Sequence, residues 1–590
     1  IVLKHDNDEG IIVKNELGEV QSIKMFLFAE GSNATSSSSF TLFLNNDLDL
    51  NHRYTITRTG YNTIPITFNK VYTSAGFTEA YTYTGVLGAT YTKPSTTFRL
   101  WAPTADSVIL NLFTAGDGGT KYEADGKAGQ TLNLIKGEKG LWELVLDGDY
   151  NKVYYTYSVS VNGLTNEAVD PYAKAVGVNG NRGMVIDLDT TDPSGWAKDK
   201  TLTLVNNTDA IIYEIHVRDF SSYADSGISN KGKFLAFTET GTVNKDGLPT
   251  GLDHLVELGI THVHLLPSFD FRTVDETTLE ENNFNWGYDP QNYNVPEGSY
   301  STDPYNGEVR INEFKQIVMA LHSKKIGVIM DVVYNHTSLS ASSDFSKIVP
   351  GYYYRYTADG KFSNGSGTGN ETASERSMVR KFIIDSVSYW ATEYHIDGFR
   401  FDLMGLHDIE TMKQVKDALE AINPSILVYG EGWTGGSSTL AVDNRSVKIN
   451  VSKLNDIAVF SDDIRDAIKG NVFIKADKGF VNGEANMEES VKFGIVASIQ
   501  HGQVKFPVKY SKYAYATSPT QVVTYVESHD NLTLWDKLLA TNPEATEAER
   551  IAMVRLAYGI LLTSQGITFM QAGDDFLRSK GGNDNSYNAT

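Results

Sequence analysis

Short apolar runs broken by turn residues occupy the first third of the chain. Ile11-Ile12-Val13, Phe40-Thr41-Leu42-Phe43-Leu44 and Tyr54-Thr55-Ile56-Thr57 predict strands, and the cluster Ser32–Ser39 predicts an exposed loop. Residues 1–85 therefore read as a small all-β module. From 86 to 200 the same pattern returns in Thr97–Pro103, Ser107–Phe113, Leu141–Leu146 and Tyr154–Val159. Regular short strands separated by turn signals predict a second all-β module, a sandwich.

The pattern changes near Ala210. Apolar strand-like runs now alternate with helical stretches such as Ile311–Lys325, Ser374–Tyr394 and Ile409–Ile422. Eight strands are predicted, at Ile211–Ile215, Thr261–Leu266, Ile326–Val333, Gly398–Asp402, Ile426–Glu431, Ile457–Phe460, Val522–Glu527 and Ile567–Gln571. Strand–helix alternation of that length predicts a parallel (β/α)8 barrel over residues 201–590. Two connections are long and polar, Ser268–Tyr305 and Thr337–Ala373, and loops of that length in a compact domain usually carry function.

Composition narrows the class. The 590 residues carry a net charge of −22, which argues against nucleic acid and anionic membranes as partners. No apolar run approaches the ~20 residues of a membrane span. There is no Cys, so disulfides and thiolate metal sites are excluded. Aromatic residues make up 11% of the chain, 32 of them Tyr, a richness suited to flat neutral ligands such as sugars. The chain opens on Ile1 and shows no signal peptide; a secreted or cell-surface bacterial protein is favoured over a cytoplasmic one.

Four of the predicted strands end on chemistry. In Asp397-Gly398-Phe399-Arg400-Phe401-Asp402 the aromatic residues alternate with polar ones, so Arg400 and Asp402 share a face. A cation that close predicts an Asp402 pKa lowered by roughly 1–3 units, as suits an ionised nucleophile. The third strand ends Asp331-Val332-Val333-Tyr334-Asn335-His336, the fifth Gly430-Glu431-Gly432-Trp433, and the seventh Glu527-Ser528-His529-Asp530-Asn531. Alone, each ending has a structural reading, as a core histidine or an ion pair. In a barrel they converge, and paired carboxylates in one pocket point to glycoside hydrolysis.

These four endings resemble, in order, the signature regions of the α-amylase superfamily of retaining glycosidases. The resemblance implies Asp402 as nucleophile, Glu431 as general acid and then base, and Asp530 as the residue that holds sugar hydroxyls and stabilises the transition state. It further implies Arg400 orienting Asp402, and His336 and His529 bonding the −1 sugar. Phe284-Asn285-Trp286-Gly287-Tyr288-Asp289-Pro290 resembles the signature of type I pullulanases, with Phe284 departing at the first position. Tyr288 is then the platform under the −1 sugar, with Asp289 expected to pair with a nearby charge such as Arg400. Pro296–Tyr300, Ser374–Arg376, Arg465–Gly470 and Asn585–Asn588 resemble the same enzymes. Trp433 is expected to wall the leaving-group side, with Asp584, Asn585 and Tyr587 on the glycone side.

Phe-Arg-Leu-Trp-Ala-Pro at 98–103, with Val169–Ala175, resembles the immunoglobulin-like module that precedes the barrel in starch- and glycogen-debranching enzymes. In that family the module either binds carbohydrate or serves as a packing partner, and residues 1–85 are open to the same binding role. The expected activity is cleavage of α-1,6 branch links in pullulan, amylopectin and limit dextrins by a monomer. The alternatives are an α-1,4, isoamylase-like or mixed-specificity amylopullulanase and a non-catalytic α-glucan-binding protein. No redox or nucleotide cofactor is implied. Several superfamily members bind calcium near the third-strand loop, where Asn and Asp are available here, but the sequence locates no site. Relatives continue after the eighth strand with a helix and a C-terminal β domain, expected here to lie outside the chain ending at Thr590.

Overall fold

The computed structural model describes residues 10–28, 40–50, 52–66, 68, 70–116, 129–279 and 284–589; the loop expected at Ser32–Ser39 lies outside them. Eight parallel strands close into a barrel: β1 (Ile211–Ile215), β2 (His262–Leu265), β3 (Gly327–Val332), β4 (Gly398–Phe401), β5 (Leu427–Gly430), β6 (Ala458–Phe460), β7 (Val522–Thr524) and β8 (Ile567–Gln571). Period-two alternation sorts their side chains. Ile212, Ile329, Tyr429, Phe460, Val523 and Phe569 fill the interior, while Tyr213, Val263, Val328, Phe399 and Phe401 belong to the larger core that includes the surrounding helices. The same alternation sends Glu214, Asp331 and Arg400 inward.

Strand–helix alternation is less regular than the sequence predicts. The segment between β5 and β6 carries only short helical turns, the longest at Lys448–Lys453. Its Gly, Ser and Thr content around 432–439 disfavours an α-helix. After β8 the described residues contain one turn, Asp574–Phe576, and the chain then runs back over the barrel mouth, where Trp286 N–H donates to the Tyr587 carbonyl at 3.0 Å. The two long loops carry structure of their own. An antiparallel pair, Phe269–Phe271 with Pro290–Pro296, stiffens the first, and a short helix, Asp344–Ile348, lies in the second. No helix among the described residues is long and apolar enough to cross a membrane.

Residues 86–200 form two antiparallel sheets packed face to face, one built on Ser107–Phe113 and Tyr154–Val161, the other on Ser95–Trp101 and Leu141–Asp147. Its first two tryptophans are buried, Trp142 at 5% exposure and Trp101 at 2%, the latter against the Tyr352 ring of the barrel, and each indole N–H donates to main-chain carbonyls. Within residues 1–85 the all-β expectation needs correction. Ala75–Tyr81 is an α-helix, capped by Ser74, whose hydroxyl accepts from Phe77 N–H at 3.2 Å. This stretch follows packing rather than alternation. Tyr72 and Phe77 lie 5.4 and 5.7 Å from the Tyr352 ring in the second long loop of the barrel.

Candidate functional site

Arg400 is the centre of the barrel mouth. Its Nη1 donates to Asp331 Oδ1 and to Asp402 Oδ1, each at 3.0 Å, and its Nη2 to Glu431 Oε1 at 2.8 Å. One guanidinium fork thus contacts both carboxylates expected to do the chemistry. Asn335 also holds Asp402, donating to Oδ2 at 2.7 Å and to its carbonyl at 2.9 Å. Leu403, the next residue, takes a left-handed backbone with φ 39°, and its N–H donates to Glu431 Oε2 at 3.0 Å. Such a conformation costs a non-glycine residue of order 1–3 kcal/mol.

Burial sets the electrostatics. It pushes the Glu431 carboxyl up to about 8, against the pull of Arg400 and with a further push from Asp402 and Asp530. The expectation for Asp402 is overturned in direction. Burial outweighs Arg400, Asp331 adds repulsion, and Asp402 lies above the usual carboxylate range. Arg400 serves three carboxylates at once, so its charge is divided.

Tyr288 lies against this group. Its hydroxyl donates to Asp331 Oδ2 at 2.6 Å, and its ring stacks on His529 at 5.2 Å. The expected Asp289–Arg400 pair is not among the contacts of Arg400; Asp289 accepts from the Thr273 hydroxyl. His336 Nε2 lies 2.9 Å from the Tyr288 carbonyl, tying the third-strand end to the Tyr288 loop. Asp530 stands at the rim with its side chain 47% exposed, 3.5 Å from His529 Nε2. Trp433 is half-buried, its ring 6.5 Å from Phe460. Phe284, where the signature departs, packs on His216 at 4.8 Å.

Tyr288, Asp289, His336, Arg400, Asp402, Glu431, Trp433, His529 and Asp530 line one cleft of about 870 Å³, together with Asp584, Asn585 and Tyr587. The cleft also takes in Glu214, Arg465 and Lys469, to which the sequence reading gave no individual role. Of these, Arg465 and Lys469 lie in a stretch already singled out by resemblance. Glu214 had only one signal, an acid in an otherwise apolar strand. Glu527, though part of the seventh-strand motif, turns to the helix Leu534–Thr541, accepting Leu534 N–H at 2.6 Å. A second cavity, about 530 Å³, lies between sandwich and barrel and is lined by Glu167, Arg272, Asp344 and Lys347 among others. It shares no lining residue with the first cleft.

One acidic cluster bears on the calcium question. Among the described residues, the carboxylates close enough to share one cation are Asp270, Glu276 and Glu297, in the loop after β2. Arg310 already occupies that cluster, with Nη2 2.9 Å from Glu276 and Nη1 3.3 Å from Asp270. A buried guanidinium supplies the charge an ion would bring, so these residues do not fit calcium.

Comparison with known proteins adds the following. Residues 86–173 match the family model of carbohydrate-binding module 48 (isoamylase N-terminal domain), and residues 221–350 that of the alpha-amylase catalytic domain. The chain is 40% identical to a pullulanase of Bacillus subtilis over 88% of its own length and 69% of that protein. It is 32% identical to pullulanase A of Streptococcus pneumoniae over 99% of its own length and 45% of the relative. The crystal structure of pullulanase from Paenibacillus barengoltzii in complex with maltohexaose and alpha-cyclodextrin superposes with a TM-score of 0.84 at 49% identity, covering 88% of this chain and 78% of that one.

Proposed function

The chain belongs to the pullulanases of the α-amylase superfamily, and from that premise we propose that its cleft cleaves α-1,6-glucosidic branch links with retention, Asp402 and Glu431 sharing the chemistry. A glucan branch enters with its −1 sugar on Tyr288 and its leaving-group side toward Trp433. Asp402 attacks the anomeric carbon while Glu431 gives its proton to the departing glycosidic oxygen, leaving a glycosyl–Asp402 ester. Water then attacks that ester, Glu431 takes the water proton, and Asp402 leaves as a carboxylate. Asp530, with His336 and His529, holds sugar hydroxyls as positive charge develops on the ring. Asp289 lines the cleft beside the Tyr288 platform and contributes to substrate binding, and Asp584, Asn585 and Tyr587 line the glycone side.

The observation that supports this reading best is the Arg400 bridge between Asp402 and Glu431. It brings nucleophile and acid within one fork, and burial keeps Glu431 protonated near neutrality. We divide the chain at 85 and 200 into an N-terminal accessory module, a carbohydrate-binding-module-like sandwich and the catalytic barrel.

Digestion of pullulan by wild type beside Asp402→Asn, with sizing of the products, tests the proposal. The expected result is maltotriose from wild type and a loss of at least about 10⁴-fold in the variant. Panose or isopanose would move the cut to α-1,4 links, and no product at all would favour a non-catalytic α-glucan-binding protein.

A further inference from the structure

Glu214 has no part in the steps above, yet its carboxylate is committed to one residue of the site. It lies on β1 with its side chain 1% exposed. Oε2 accepts the His529 main-chain N–H at 2.6 Å, and Oε1 lies 2.8 Å from His529 Nδ1. The other ring nitrogen, Nε2, is 3.5 Å from Asp530 Oδ2. A histidine with a carboxylate oxygen near each nitrogen is favoured as the doubly protonated imidazolium, because a neutral ring would turn a lone pair toward one of them.

Glu214 also has a second neighbour. Its Oε1 is 4.0 Å from His264 Nδ1 on β2, and His264 Nε2 is 3.4 Å from Asp331 Oδ2, which Arg400 holds. Asp530, His529, Glu214, His264, Asp331, Arg400 and Glu431 thus form a belt of alternating acids and bases across the barrel mouth.

We propose that Glu214 is a positioning residue for the hydrolysis: it anchors the loop after β7 and holds His529 as an imidazolium aimed at Asp530 and at the hydroxyls Asp530 binds. The inference rests on the hydrolase reading of the cleft. Other groups around His529 are Arg400 in the barrel, the Tyr288 and Trp286 rings, and Lys580, whose Nζ donates to the His529 carbonyl at 2.8 Å. Burial and Arg400 oppose a charge on the ring, and Glu214, followed by Asp530, overcomes them, raising its pKa to about 9.

Glu214→Gln keeps the shape and an accepting oxygen but removes the charge. The expected kcat/KM on pullulan is near wild type at pH 5.5 and falls roughly tenfold per pH unit above the lowered His529 midpoint. A loss equal at pH 5.5 and pH 8, or none at either, overturns the proposal, since a purely structural role would move both alike. If the variant does not fold, ¹³C-histidine NMR of the wild type decides, with His529 assigned by comparison with His529→Gln. A midpoint above pH 8 supports the inference, and a ring already neutral at pH 7 overturns it. The NMR measurement needs no substrate, so it separates failure of this inference from failure of the hydrolase reading.

Discussion

Arg400 holds three carboxylates with two of its nitrogens, which makes it the residue least open to conservative replacement. Lysine presents a point charge without the fork, and it would leave at least one buried carboxylate unpaired. Arg400→Lys is expected to lower kcat/KM by at least about 10²-fold with little change in KM, measured on pullulan. Glu431 carries the pH dependence. Its raised pKa of about 8 keeps the acid protonated below that value, so the rate should fall as pH rises through it. Glu431→Gln should lose roughly 10²–10⁴-fold on pullulan. With α-maltotriosyl fluoride, whose leaving group needs no proton, most of the glycosylation rate should return. A variant equally slow on both substrates would rule out the acid role. At this scale Asp402, Glu431 and Asp530 were legible as acids inside extended motifs at or just past strand ends, and the fold brings the three into one cleft. Glu214 was not legible. Its partner His529 is 315 residues away, and only closure of the barrel brings them together.

Strand ends and the loops that leave them do the next level of work. The loop after β4 meets the loop after β5 at Gly405, where an added Cβ would lie 2.3 Å from the Trp433 carbonyl oxygen. Gly405→Ala should therefore shift Trp433 and raise KM for branched substrate more than it lowers kcat on small fluorides. At the opposite end of the barrel, Asp199 accepts from His322 Nδ1 and His395 Nδ1, each at 2.8 Å, and His322 Nε2 reaches Asp397 at 2.7 Å. Asp397 also takes the Leu202 N–H at 2.6 Å, clamping the linker from the sandwich to the barrel floor. Burial opposes the His322 charge, but Asp199 and Asp397 raise its pKa to about 9. Its contribution is full below its ordinary value of 6.5 and disappears as pH rises through about 9, worth at most about 3 kcal/mol. Asp199 is lowered to about 2, so its share is present above 3.8 and lost as pH falls toward 2. Thermal melts should show His322→Gln well below wild type at pH 6 and converging with it near pH 10. Strand existence and order were readable here because buried parallel strands are apolar runs. The helix Ala75–Tyr81 was not, since seven residues carry too little periodicity to outweigh their β-rich surroundings.

Across the whole molecule, the three modules are joined by aromatic packing. Tyr352, 1% exposed, touches Tyr72, Phe77 and Trp101, so one side chain from a barrel loop contacts both preceding modules. Tyr352→Ala is expected to cost about 3–5 kcal/mol and to split a single calorimetric transition into two as the N-terminal modules uncouple from the barrel. A single sharp transition at lower temperature would instead mean that the modules melt together by other contacts. What the sequence by itself determined is the barrel, the sandwich before it, and the residues at its strand ends, because alternation and motif spacing are local and survive in one dimension. Tertiary structure alone decided how charge is distributed among those residues. Arg400 had been expected to lower the Asp402 pKa, yet burial and the neighbouring Asp331 carboxylate leave it raised. The sequence left calcium open with no site located, and only the fold shows that Arg310 pairs with two of the three acids of the cluster Asp270, Glu276 and Glu297. Desolvation and shared partners depend on what closes over a group in space, and a linear pattern does not encode that.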